Sequence, residues 1–91
     1  MQQVIWKWPV APESQFVLEL PRGAQILTVQ EQHGRPQLWA LVDPSAPVQR
    51  RTFRVMPTGI EWECDGELLH YLGTFQLKQL VFHLFEIERG N

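Results

Sequence analysis

With 91 residues, 44% of them hydrophobic and 20% charged, the chain suits one small domain and is too apolar for a disordered or solvating tail. Its formal net charge of -2 argues against a general nucleic-acid clamp, which needs a basic surface to displace counterions from phosphates. Cys64 is the only cysteine, so no intrachain disulfide can form, and neither a signal peptide nor a membrane-length apolar run is visible; a cytoplasmic location is expected.

In chain order, Val4, Trp6 and Trp8 alternate with other residues from Gln3 to Trp8, and Pro9 removes a backbone donor, so a first strand should stop there. Ala11-Pro12-Glu13-Ser14 is a turn. Gln15 to Leu20 places Phe16, Leu18 and Leu20 on one face at period two, and Pro21-Arg22-Gly23 closes this second strand. Gln25 to Asp43 is the clearest signal: two runs rich in β-branched and large apolar residues flank the turn block His33-Gly34-Arg35-Pro36, which predicts a β-hairpin. Both arms carry apolar residues on both faces, so each needs a cover: a second sheet, barrel closure or another subunit.

Asp43-Pro44-Ser45-Ala46-Pro47 cannot continue a ladder, and alternation resumes from Arg51 to Met56. Pro57 to Glu67 is the least regular stretch and reads as an excursion or lid. His70 to Gln76 and Lys78 to Glu88 form a final hairpin, with Gly73 marking a bulge or a close backbone approach. A helix over Leu77 to Glu88 is the competing reading; the segment is short, rich in aromatics and without a good N-cap, which favours a strand. The expectation is a single all-β domain over residues 1–91, a sandwich or partly open barrel of about seven short strands with little helix.

Catalytic and metal signals are weak. His33, His70, His83 and Cys64 are scattered without the spacings that bring ligands together. Ser14 and Ser45 sit in proline-bordered turns, and Glu63 and Asp65 beside Cys64 would blunt a thiolate. We therefore expect no catalytic residues, no metal and no cofactor. Glu61, Glu63, Asp65 and Glu67 alternate along one segment and read as a solvated acidic loop rather than a cation site.

The best binding signal is Arg50-Arg51-Thr52-Phe53-Arg54. On an extended strand Arg50, Thr52 and Arg54 face one side and Arg51 and Phe53 the other, so guanidinium forks are available for phosphate oxygens. Trp39, Trp62 and Tyr71 could stack a base or ribose. His83, set among Val81, Phe82, Leu84 and Phe85, reads as a core or pocket-wall histidine in need of a partner. The expected ligand-binding residues are Arg51, Arg54, Trp62, His83 and Trp39. Arg51 and Arg54 face opposite ways, so a subunit interface would be needed for both to serve one ligand. Four tryptophans in so short a chain also point to a homo-oligomer.

The segments IWKWPV, LELPRGAQILTVQ, LWALVDP, YLGTFQ and LVFHLFE together resemble a family of small uncharacterised proteins of tailed phages and prophages. That family's Gly-Thr-Gly-His-type turn is not kept here, where Thr58-Gly59 is followed by Ile60, so no role for that histidine carries over. What the resemblance implies is a phage accessory protein acting in the host bacterial cytoplasm. By analogy it is a non-enzymatic sponge for a small phosphorylated nucleotide immune signal; the rival readings are an adaptor that binds a host or phage protein through a sheet edge and aromatic patch, and an enzyme that cleaves the nucleotide.

Overall fold

The computed structural model describes residues 2–63 and 65–89. Seven strands follow one another: β1 (Val4–Pro9), β2 (Gln15–Pro21), β3 (Gln25–Gln32), β4 (Arg35–Val42), β5 (Val48–Pro57), β6 (Glu67–Leu77) and β7 (Leu80–Arg89). Among the described residues there is no helix, and the segment that could have been one is β7.

Two antiparallel sheets form, a three-stranded one in the order β1-β4-β3 and a four-stranded one in the order β2-β5-β7-β6. They pack face to face as a sandwich and do not close into a barrel. The short dimension of the molecule, 16 Å between extreme Cα atoms, suits two sheets stacked about 10 Å apart.

The core follows from period-two alternation. Phe16 and Leu20 on β2, Phe53 on β5, Leu84 on β7 and Phe75 on β6 face Val29 on β3 and Leu38, Ala40 and Val42 on β4. Phe16 and Phe53, opposite each other in the ladder, stack with centroids 5.5 Å apart. Each such buried side chain contributes about 1.5–3 kcal/mol before chain entropy is subtracted.

Turn chemistry sets the register. His33 and Gly34 both have positive φ, 55° and 79°, the pair needed by the two-residue turn whose twist matches a hairpin. Pro36, expected inside that turn, instead lies in β4 opposite Glu31. It is tolerated there because the β1–β4 ladder ends at Gln37, and Val10 just beyond β1 uses only the Pro36 carbonyl, as acceptor of its N–H. β5 and β6 begin earlier than alternation suggested, at Val48 and Glu67.

Candidate functional site

Alternation along β5 divides the arginine cluster. Phe53 is in the core, so Arg51 shares its inward side and Arg54 faces outward with Thr52 and Met56. Arg51 is spent on the fold. Its Nε and Nη2 each donate to a carboxylate oxygen of Glu86 at 2.6 Å, and its Nη1 donates to the Ala24 carbonyl at 2.6 Å. Both side chains of this bidentate pair are less than one-fifth exposed.

Arg54 begins a different assembly on the outer face of the four-stranded sheet. Its Nη2 donates to Gln15 Oε1 at 2.8 Å and lies 3.1 Å from Glu67 Oε1. The irregular residues 58–63 fold back over this face; Gly59 and, further on, Gly66 have φ of 87° and 75°, where L side chains are strained. It carries Trp62 to Arg54, with the guanidinium carbon 6.0 Å from the ring centroid, inside the range of a cation–π contact. Trp62 remains 45% exposed. Met56 and Ile87 are buried although they lie outside the core between the sheets.

Beside Arg54 runs a chain of side-chain hydrogen bonds. Thr58 Oγ1 lies 2.8 Å from His83 Nε2, Thr74 Oγ1 lies 2.9 Å from His83 Nδ1, and Tyr71 Oη lies 2.5 Å from Thr74 Oγ1. The Thr58 hydroxyl also donates to the Val81 carbonyl at 3.3 Å. With its proton committed there, Thr58 is left to accept from His83 Nε2–H, and in the tautomer that carries that proton Nδ1 accepts from Thr74, which in turn accepts from Tyr71. Threonine hydroxyls thus orient the imidazole from both sides. Tyr71 packs edge-on against Phe85 with centroids 5.6 Å apart.

Of the five residues expected to bind a ligand, Arg54, Trp62 and His83 come together on this face. Arg51 lies on the other face of the same sheet. Trp39 lies on the other sheet, half-buried opposite Lys7 and Thr28, facing away from the core that holds its neighbours Leu38 and Ala40. Cys64 falls outside the described residues.

Thr58, Thr74 and Glu67 belong to the face and were not foreseen as part of it; Tyr71 was seen only as an available ring. The signal was obscured by the register shift between Tyr71 and Gly73, a bulge that puts Tyr71 and Thr74 on one side although they are three positions apart. The face is not strongly basic. Arg54 is offset by Glu67, and Glu61, Glu63 and Asp65 are exposed along the covering segment. Among the described residues no three His, Cys, Asp or Glu side chains are grouped to hold a metal ion.

A second surface stands at β1, which among the described residues is hydrogen-bonded on one side only, to β4. Val4, Trp6 and Trp8 pair with Val42, Ala40 and Leu38, which are core residues, so they share the inward side of the sheet. Trp8 packs against the core. Trp6, however, is 41% exposed, and Ile5 on the outward side is 55% exposed. The edge strand therefore overhangs the second sheet and offers apolar side chains on both sides. Trp6 and Trp8 meet edge to face at 6.2 Å.

No helix among the described residues is long and apolar enough to cross a membrane. No curated protein and no solved structure matches the chain. A family model for a domain of unknown function, DUF7352, matches residues 1–91, and the chain belongs to that family.

Proposed function

We propose that the protein is a non-enzymatic binding module whose partner is an extended polypeptide segment added as a further strand at β1. The observation that carries this reading is the free β1 edge, where Trp6 and Ile5 stand exposed on opposite sides of a strand paired on one side only. An added strand would gain main-chain hydrogen bonds along the edge, and alternate side chains would contact Trp6 on one side and Ile5 on the other. Trp is among the residue types enriched where interface binding energy concentrates. In keeping with the phage resemblance, the partner would be a host or phage protein in the bacterial cytoplasm.

Placing a photo-crosslinking amino acid at Ile5 in cells tests the proposal. A discrete adduct with one protein, lost when Trp6→Glu is added, is expected. The reading fails if no adduct with another protein forms, or if that adduct survives Trp6→Glu; an adduct with the mass of two copies of this chain reports self-association through the outward face, which also holds Ile5.

A second reading, a sponge for a phosphorylated nucleotide such as a cyclic dinucleotide or a cyclic ADP-ribose derivative, is favoured by the gathering of Arg54, Trp62, Tyr71 and His83 on one face. Stacking and a guanidinium are both available there. The neighbouring carboxylates disfavour a highly charged anion, which is why this reading stands second. Incubation with a nucleotide panel, heat release and chromatography decide it. Intact recovery supports the sponge, an altered product supports an enzyme, and no retention removes both.

A further inference from the structure

We infer that the end of the sandwich closed by the β1–β2 connection is a preformed binding pocket for a small organic ammonium ion with an apolar body. The pocket has a volume of about 340 Å3 and lies between residues 10–14 and the ends of β5, β6 and β7. That size is at the lower end of small-molecule sites and suits roughly one aromatic ring with a short side chain.

The connection is pinned at both ends. Val10 N–H donates to the Pro36 carbonyl at 3.0 Å, and Val55 N–H donates to the Ser14 carbonyl at 2.8 Å. A wall held by backbone bonds costs little to order when a ligand arrives. Phe75 and Phe82 line the pocket and stack with centroids 5.5 Å apart and planes inclined by 23°. Both rings give the pocket apolar aromatic surface that offers an anion no donor.

The polar inventory points the same way. Pro12, Pro36 and Pro57 line the pocket and have no N–H to offer, and those of Val10 and Val55 are already spent. Among the described residues that line it, Glu13 is the only charged one. An anion entering here would meet no cationic side chain and few donors. An ammonium would meet aromatic surface and a carboxylate at the rim, while its hydrocarbon part is buried against proline, valine and phenylalanine. This site is distinct from the β1 edge and from the Arg54 face, and does not depend on either reading above.

The probes are phenethylammonium and its acidic counterpart 3-phenylpropionate, each titrated into the 15N-labelled protein at equal ionic strength. Phenethylammonium is expected to shift the amides of Val10, Ser14 and Val55 saturably, with 3-phenylpropionate at least about fivefold weaker. Glu13→Gln should lower the ammonium's affinity by about twofold to fivefold, as befits an exposed charge pair, and Ala11→Trp should fill the space and abolish the shifts. The two-ligand comparison on the unaltered protein stands even where Ala11→Trp fails to fold. Equal affinity for the two ligands would overturn the inference, and so would the absence of shifts at these amides up to about 10 mM, the affinity that the per-atom efficiency of drug-sized ligands gives a molecule of this size.

Discussion

At the scale of single residues, Arg51 shows how a binding signal in sequence can be a folding device. Its guanidinium uses three nitrogens in one bidentate carboxylate pair and one carbonyl bond, and the pair is largely withdrawn from solvent. Removing one partner strands the other's charge, so Arg51→Ala should cost about 2–4 kcal/mol in urea denaturation. The double change Arg51→Met with Glu86→Leu should cost clearly less than the single one, because no charge is left behind. A single-mutant loss below about 0.5 kcal/mol would mean the pair is solvated like an ordinary surface bridge. Asp43 makes a smaller, titratable case. The Ser45 hydroxyl, at 2.7 Å, and then the Ser45 backbone N–H, at 3.0 Å, hold its carboxyl below the ordinary value of 3.8. Because the folded-state value is the lower one, the turn's contribution is whole above about 3.8 and is lost as pH falls through the depressed value. Carboxyl carbon titration by NMR should place Asp43 below 3.8, and Ser45→Ala should move it back up. An unchanged midpoint in Ser45→Ala would remove the hydrogen-bond explanation.

At the scale of elements, β6 and β3 meet where Gly73 faces Val29. A methyl group at Gly73 would lie 2.7 Å from Val29 Cγ1, and Val29 is fully buried, so neither side can yield cheaply. Gly73→Ala should therefore destabilise the protein by about 1–3 kcal/mol in thermal or urea melts. Adding Val29→Ala should cost less in that background than in the parent chain. Simple additivity of the two changes would show that the clash is relieved by movement of the strand itself. Both expectations for Gly73, a bulge and a close approach, are met here, because a lone glycine in an alternating run has few other uses. The hairpin from Gln25 to Asp43 was legible for a similar reason, since its turn residues tolerate positive φ and its arms are β-branched. Less legible was the candidate site. Its members come from β5, β6, β7 and the connection between β5 and β6, and alternation within one strand says nothing about which strands become neighbours. Nor could it show that Arg54 would find Glu67, at the very start of β6, and Trp62, on the irregular connection before it. The division of Arg51 from Arg54 was visible, because it needs only the two-residue repeat of one strand.

For the molecule as a whole, the question is what covers the outward side of the three-stranded sheet. β4 is its central strand, with Leu38, Ala40 and Val42 in the core and Trp39 and Leu41 directed the other way. Ile5 pairs with Leu41 in the ladder, and Leu27, at the register shift of β3, is exposed. Polar cover is thin: Lys7 Nζ reaches across β4 to Gln32 Oε1 at 2.6 Å, leaving the end with Ile5 and Leu41 open. A contiguous apolar face on a small domain with net charge of only -2 meets little electrostatic resistance to self-association. The expected outcome is a homo-oligomer built through this face, which shares Ile5 with the strand edge proposed for a foreign partner. Sedimentation equilibrium at tens of micromolar should give a mass above that of one chain. Trp39→Glu should return it to a single chain while preserving the far-ultraviolet signature of the sandwich. If the parent chain sediments as a monomer throughout, the face is simply tolerated exposure. If Trp39→Glu unfolds the protein, Leu41→Lys serves in its place, because Leu41 lies on the same side and pairs with Ile5 rather than with the core.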